Sequence, residues 1–567
     1  MTEFHPPRPW TASYAPGVPE DLGEVTGSLV DIIDESAARY PNAPALQFFG
    51  RETTYRQLRD QIERAAEGLR QHGVKPGDPV AISLPNCPQH IVAFYAVLRL
   101  GAVVVEHNPL YTRREFAKQF ADHHAKHAIV WNKVVEHIQA LPPELAVDTL
   151  ISVDVIPAMP LGTRLALKLP VAKARESRDA LWSPVSGTIP WPKITSAGPL
   201  PGSWARPETD DLAVIQYTSG TTGSPKGAEL THRNLLSNAR QAQSWIPQIT
   251  PGEGCVVYAV LPMFHAYGLT LCLTFAMSLG ARLVLFPKFD PDMVLEVTKK
   301  HPATLLPLVP PIAERLVSRA AETGASLAGT QVAISGAMAL PHSLVVPFEK
   351  ASGGYLVEGY GLSECSPVIS VNPVAENRKA GTIGLPLPGT EVRVVDQEDP
   401  TKDVEPGAPG ELVVRGPQVF RGYHGRPEET AASFVDGWYR TGDVVQIDED
   451  GFVKIVDRIK ELIITGGFNV APTEVEHQLR DYPGVADVAV VGLPDGHSGE
   501  QVVAAIIVED GATVDTDAMR AWARDNLTPY KVPRRIVVVD ELPKSMLGKV
   551  LRRQVKEKVL EVLEPNS

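Results

Sequence analysis

Residues 217–228 read YTSGTTGSPKGA, with three glycines (Gly220, Gly223, Gly227), one lysine (Lys226) and hydroxyl side chains on most other positions. So few apolar side chains cannot fill a core. The preceding LAVIQYTS (212–219) reads as a short buried strand, and the residues from Thr231 through RNLLSNARQAQSW read as a helix with Thr231 as N-cap. Glycines let backbone approach a ligand closely, and freed N–H groups with the hydroxyls of Thr218, Ser219, Thr221, Thr222 and Ser224 can surround phosphate oxygens. The pattern is not a Walker loop, because Lys226 sits between Pro225 and Gly227 and no Ser/Thr follows it. An ordinary surface loop is the alternative on composition alone.

Six other stretches are polar or glycine-rich within otherwise structural sequence, and all but the second carry ionisable residues: LPMFHAYGL (261–269), ISGAMAL (334–340), EGYGLSECSP (358–367), GWYRTGD (437–443), DRIKELIITGG (457–467) and LPKSMLGK (542–549). Together with the opening loop, and in this order, they resemble the adenylate-forming superfamily of acyl-CoA synthetases, luciferase-like enzymes and adenylation domains. VEGYGLSECSPVISVNP (357–373) and DRIKELIITGGFNVAPTEVE (457–476) are most similar to bacterial long-chain fatty-acid–CoA ligases. The chain departs from the usual patterns at Ser363, where threonine is commoner, at Ala337-Met338, which replaces a frequent Gly-x-Pro, and at Arg440, where histidine is frequent.

The chemistry such an enzyme performs explains the residue types. Joining a carboxylate to ATP brings two anions together, so negative charge must be screened, the carboxylate held in line with the α-phosphate, and departing pyrophosphate stabilised. The resemblance assigns the opening loop, including Thr218, Ser219, Gly220, Thr221, Thr222 and Gly223, to the phosphates of ATP, with Lys226 adding positive charge. It implies Glu364 as the Mg²⁺ ligand, a hard cation preferring carboxylate oxygen. Gly336, Ala337, Gly359, Tyr360, Gly361 and Ser363 are expected around the nucleotide, with Tyr360 offering an aromatic face to adenine. Asp443 is expected to accept both ribose hydroxyls, although a turn-forming aspartate after Gly442 would look the same. Arg458 is carried over as a second ribose or phosphate contact.

Lys549 follows Gly548 just before VLRRQVKEKVLEVL, and the resemblance implies that it enters the site from a small domain to contact carboxylate and α-phosphate. His265 is assigned to the acyl site, the alternative being a satisfied core histidine. A second half-reaction with CoA is implied. The small domain would rotate about Lys460, which reads equally well as a linker lysine, and present Gly466 and Gly467 to pantetheine.

The elements that must position these groups are α/β in character. SLVDIIDESAARYP (28–41) and TTYRQLRDQIERAAEGLRQHG (53–73) have helical spacing, PVAISLP (79–85) reads as a strand and HIVAFYAVLRLGA (90–102) as a helix, an alternation that predicts parallel sheets covered by helices. LTLCLTFAMSLGA (269–281) is too short to span a bilayer and reads as a buried helix. Near the end, strands are expected at 486–495, 500–510 and 534–543 and a helix at 515–527, a small α+β domain of its own. The expected division is a large multi-sheet domain (1–456), a hinge (457–460) and a small mobile domain (461–567). At 567 residues the chain is too long for one core.

Bulk properties exclude other classes. A net charge of −13 argues against a general nucleic-acid binder. The four cysteines (Cys87, Cys255, Cys272, Cys365) are scattered without ligand spacing, which argues against a disulfide scaffold or zinc site and fits a reducing compartment. MTEFHPPRPW has no secretory pattern, so a cytoplasmic protein is expected. The segment LGTRLALKLPVAKARESRDALW (161–182) sets Arg164, Lys168, Lys173, Arg175 and Arg178 among leucines; it reads as a peripheral contact with anionic membrane or as a solvated connecting face, Pro170 breaking any single helix.

The expected activity is therefore ATP-dependent ligation of a long-chain fatty acid to CoA through an acyl-adenylate, releasing AMP and pyrophosphate. The nearer alternatives change the acid (aryl, medium-chain or dicarboxylic) or the acceptor, as in acyl-AMP ligases that load carrier proteins. The distant one is a non-catalytic acyl-binding protein on the same scaffold, which loss of charge at 364, 443 or 549 would favour; all three charges are present.

Overall fold

The computed structural model describes residues 8–218, 225–458, 461–465, 468–495, 499–527, 529–545 and 548–563. By packing, the chain divides into two units, Met1–Glu391 with Arg415–Phe434, and Val392–Val414 with Val435–Ser567. Residues 392–414 and 435–456 thus pack with the C-terminal part of the chain, and the expected hinge at 457–460 falls inside the second unit; of it, 459–460 lie outside the described residues.

The first unit is built on two sheets. One has nine strands; its central strands, from Pro44–Phe48 through Arg282–Leu285, Val256–Ala259, Leu305–Leu308 and Val332–Ser335 to Tyr355–Gly361, pair in parallel, and antiparallel strands close both edges. The other has eight strands, parallel from Leu212–Thr218 through Val103–Glu106, Pro79–Ser83 and His127–Trp131 to Thr149–Val153 and Ile189–Pro190. Parallel strands need crossovers, and helices supply them. Tyr55–Gln71 begins at a capping box, Thr54 accepting from the Gln57 N–H, and stops before Gly73, whose φ of +96° a side chain would resist. Pro88–Arg99 is buried on nearly every face, which accounts for its apolar run at 91–98. Asn86 ties the sheets together: its amide donates to the carbonyls of Ala259 and Leu261, and its oxygen accepts from the Met263 N–H.

The apolar stretch at 269–281 is buried as expected, but its first turn and a half, Leu269–Thr274, is a π-helix that continues into Phe275–Ser278. The basic segment at 161–182 forms two short helices, Leu161–Ala166 and Ala172–Leu181, with Pro170 between them. No helix among the described residues is long and apolar enough to cross a membrane.

The second unit holds two five-stranded sheets. In one, Trp438–Ile447 pairs with Gly410–Arg415 on one side and Val453–Arg458 on the other. In the other, the long hairpin Val485–Asp495 and Gly499–Val508 forms the centre. Its side chains alternate between two cores. Val488, Val490, Val502 and Ala504 face Val475 and Leu479 of helix Pro472–Arg480 and Met519 and Ala523 of helix Thr516–Asn526; Ala489, Val491, Val503 and Ala505 face Val555 and Val559 of helix Arg552–Leu563. A sheet covered by helices on both faces accounts for the uninterrupted apolar runs at 488–491 and 502–507.

Candidate active site

The opening loop joins two antiparallel strands. Leu212–Thr218 leads into it and Lys226–Thr231 leaves it, with Thr218 opposite Lys226, so a strand stands where the sequence suggested a direct passage into helix. The helix His232–Trp245 then starts where expected, Thr231 accepting from the Asn234 N–H. Ser219, Gly220, Thr221, Thr222 and Gly223 lie outside the described residues. Gly227 is required by packing: a Cβ there would lie 2.6 Å from the Ile215 side chain.

Around Lys226 the first unit gathers side chains from distant segments. The strand Gly422–Tyr423 pairs antiparallel with Lys226–Thr231, Tyr423 opposite Ala228. That register brings the Tyr423 ring under the Lys226 ammonium, 5.0 Å from nitrogen to ring centroid. The Tyr423 hydroxyl donates to Oε1 of Glu364 at 2.8 Å. Glu364 is buried on a short turn, Ser363–Cys365, after the strand Tyr355–Gly361. The Lys226 ammonium also pairs with Glu429, on the short helix Pro427–Ala432. Glu429 accepts as well from Arg426 at 2.9 Å; Arg426 reaches Asp122 at 3.3 Å, and Asp122 accepts from the Tyr217 hydroxyl at 2.7 Å. Lys226, and after it Arg426, hold the Glu429 carboxyl below its ordinary range. One aromatic ring thus touches the expected phosphate lysine and the expected metal carboxylate together.

The expected nucleotide residues of this unit sit on neighbouring strands. Tyr360 is buried and lies in the strand with Gly359 and Gly361; a Cβ at Gly361 would come within 1.9 Å of the Pro367 carbonyl oxygen. Gly336 and Ala337 follow the parallel neighbour Val332–Ser335. Ala337 has φ of +64°, a left-handed conformation costing an alanine about 1–2 kcal/mol. The sequence reading passed over Glu358. It is buried in the same strand, and burial pushes its carboxyl up to about 8, against the lowering effect of the Leu340 backbone hydrogen bond. Burial thus favours its protonated form at neutral pH.

His265 caps the first turn of the buried segment 266–278, its ring 4.9 Å from that of Phe264. Burial lowers it to about 4, so it is neutral at pH 7. Gln216, at the end of the strand before the opening loop, donates to the Phe264 carbonyl at 3.0 Å and fixes this turn beside that strand.

In the second unit, Asp443 and Arg458 stand opposite each other on adjacent antiparallel strands. Asp443 is buried, within a strand and not in a turn. Its setting is braced by Arg440, whose guanidinium donates to Glu411 at 2.6 Å while Glu411 accepts from the Gly442 N–H at 3.2 Å. Arginine at position 440 therefore has a buried carboxylate partner. Lys549 is tied to Ser545: its N–H donates to the Ser545 hydroxyl at 3.2 Å and its carbonyl accepts from the Ser545 N–H at 2.7 Å. Gly466 and Gly467 lie outside the described residues.

Among the described residues no group of three or more His, Cys, Asp or Glu could hold a metal alone. That donor set still suits Mg²⁺, which is commonly bound through one or two carboxylates and substrate phosphates and not by an all-protein cage. Glu364 would be the protein ligand.

Comparison with known proteins identifies the family. Residues 33–424 match the AMP-binding enzyme family and residues 474–549 match the AMP-binding enzyme C-terminal domain. The chain belongs to the AMP-binding enzyme family. It is 36% identical over 565 residues to a long-chain-fatty-acid--CoA ligase of Bacillus subtilis, covering 98% of each chain. It is 37% identical to one of Escherichia coli O157:H7, covering 97% of this chain and 98% of the relative. Among solved structures it is similar to ATP-bound MatB from Rhodopseudomonas palustris, with a TM-score of 0.79 and 28% identity over 94% of this chain and 99% of that one. As a family member it has the large α/β N-terminal part and smaller C-terminal part expected from the sequence.

Proposed function

We propose that the protein joins a long-chain fatty acid to CoA in two steps, by way of an acyl-adenylate. The observation that carries this reading is the cluster of Lys226, Tyr423 and Glu364 beside the glycine-rich loop, a cation and an anion fixed on one ring. Lys226 offsets phosphate charge, and its place above the Tyr423 ring limits where the ammonium can go. Glu364, oriented by the Tyr423 hydroxyl, supplies the carboxylate for Mg²⁺, which when bound neutralises charge on the phosphates. Neutral Glu358 can donate a hydrogen bond on the strand that carries Tyr360, the residue assigned to adenine. Asp443, braced by Glu411 and Arg440, accepts the ribose hydroxyls, with Arg458 across the strand pair.

The fatty-acid carboxylate oxygen attacks the α-phosphorus and pyrophosphate leaves with the bridging oxygen's electron pair. Lys549 stabilises the charge that builds during this step. The thiol of CoA then attacks the acyl carbonyl, loses its proton and displaces AMP. In this reading the small domain turns about Lys460 between the steps, and the backbone at Gly466 and Gly467 lines the path of pantetheine. His265, neutral and partly buried beside Phe264, borders the acyl chain. The relatives named as long-chain ligases support the choice of acid.

Acid-dependent ATP–pyrophosphate exchange across aliphatic, aryl and dicarboxylic acids, followed by CoA-dependent AMP release, tests this reading. Exchange highest with long-chain acids and AMP release on adding CoA is the expected result. Exchange without AMP release on adding CoA would instead assign an acyl-AMP ligase.

The reading includes a cytoplasmic location with peripheral contact to anionic membrane through 161–182. Leu161, Leu165, Leu169 and Val171 are each more than half exposed, and Lys168, Lys173 and Arg175 stand exposed among them, while Leu167 and Ala174 anchor the segment. Co-flotation with anionic vesicles, lost when the four exposed apolar residues become serine, is expected; a wild-type protein that stays wholly in the soluble fraction contradicts it.

A further inference from the structure

The pairing of Lys226 with Glu429 raises a question that the assignment of Lys226 to phosphate leaves open. A carboxylate that partners the lysine is a rival of any phosphate that needs it. Glu429 sits in the first turn of Pro427–Ala432, brought to Lys226 by the pairing of Gly422 with Glu229 and of Tyr423 with Ala228. It faces two cations, Lys226 and Arg426, and the second has a further acidic partner in Asp122. If Lys226 moves to a phosphate, Glu429 keeps Arg426, so no carboxylate is stranded without a cation. Lysine suits such an exchange, being a point charge on a flexible four-carbon stem. Both partners remain in reach of water, with side-chain exposures of 19% and 38%, so parting them does not create a buried lone charge. Arg426 is tied differently, to Glu429, Asp122 and the Pro225 carbonyl through the donors of a planar guanidinium.

We infer that Glu429 is a positioning residue that holds the Lys226 ammonium over Tyr423 and competes for it with the phosphates of the nucleotide, which must take the lysine from the carboxylate. This rests on the proposed role of Lys226 at phosphate. The exchange sets how much of the lysine's attraction appears as nucleotide affinity.

The test is a double-mutant cycle on the full chain, reading KM for MgATP and kcat separately in acid-dependent ATP–pyrophosphate exchange. Glu429→Gln keeps the shape and an acceptor for Arg426 while removing the charge; Glu429→Ala serves as a second variant, and thermal melting checks that both fold. The expected result is a fall in KM for MgATP of about threefold in Glu429→Gln, the size of a partly exposed ion pair, with kcat changing by less than KM. The fall should vanish when Lys226→Ala is also present. If Glu429→Gln leaves KM unchanged or raises it while Lys226→Ala raises KM, the inference is overturned and the phosphate role of Lys226 stands. An equal fall with and without Lys226 also overturns it, since the carboxylate would then act on the nucleotide directly. If Lys226→Ala itself leaves KM unchanged, the phosphate role fails and the inference with it.

Discussion

The Lys226 cluster and the Asp443–Arg458 pair are both built on antiparallel strand pairs, yet they are assembled over very different spans of chain. Lys226, Glu364, Tyr423 and Glu429 come from four segments, and the network that fixes them reaches a contact between residues 304 apart, Arg426 with Asp122. Asp443 and Arg458 belong to consecutive strands, joined by one turn and braced by Glu411 from the adjoining strand. Closing long loops costs entropy before any contact repays it. The first group therefore depends on the whole first unit being folded, whereas the second needs little more than its own sheet.

This difference governs what could be read from residues alone. Local signals succeeded: Thr231 as a cap, the helix at 53–73 and the strands at 486–495 and 500–510 were legible because each rests on a few neighbouring residues. The strand Lys226–Thr231 was missed, because KGAELT shows only weak alternation and gains its identity from partners at 212–218 and 422–423. Tyr423, Arg426 and Glu429 were passed over for the same reason: nothing in RGYHGRPEET points to Lys226 until the strands pair. Glu358 is an unremarked glutamate in sequence, and only its burial in a strand favours the protonated form. Arg440, a departure from the usual pattern, is explained by Glu411 on the neighbouring strand.

The largest effect that would sharpen the contrast lies at Glu358 in the first unit. Its carboxyl titrates near 8 when folded and near its ordinary 4.5 when unfolded. The folded state thus holds a proton that the unfolded state has released between these values, so the contribution is fully present below about 4.5 and is lost as pH rises through about 8. A shift of this size corresponds to about 5 kcal/mol. Thermal melting of wild type against Glu358→Gln should show the wild type losing stability over this window relative to the variant; parallel curves would mean that Glu358 is ionised in the fold.

Next comes Asp443→Asn, which removes the charge and keeps the shape. Loss of charge-assisted hydrogen bonds to ribose should raise KM for ATP by about tenfold to a hundredfold, with little change in melting temperature because the strand pair persists. An unchanged KM would return Asp443 to a structural role. The smallest effect is expected for Tyr423→Phe, which keeps the ring under Lys226 and removes the hydrogen bond to Glu364. Catalytic efficiency should fall by about threefold to tenfold, with more Mg²⁺ needed for half-maximal rate. A drop in KM without a change in Mg²⁺ requirement would break the link drawn between the lysine and the carboxylate.

In the proposed reaction Lys549, carried by the C-terminal part of the chain, promotes formation of an acyl-adenylate from a fatty acid and ATP. Lys549→Ala should be compared with wild type in fatty-acid-dependent ATP–pyrophosphate exchange, and in CoA-dependent AMP release from acyl-adenylate supplied ready-made. A fall in exchange of about 10²–10³-fold is expected, with the second reaction largely retained. Exchange at the wild-type rate in Lys549→Ala would contradict it.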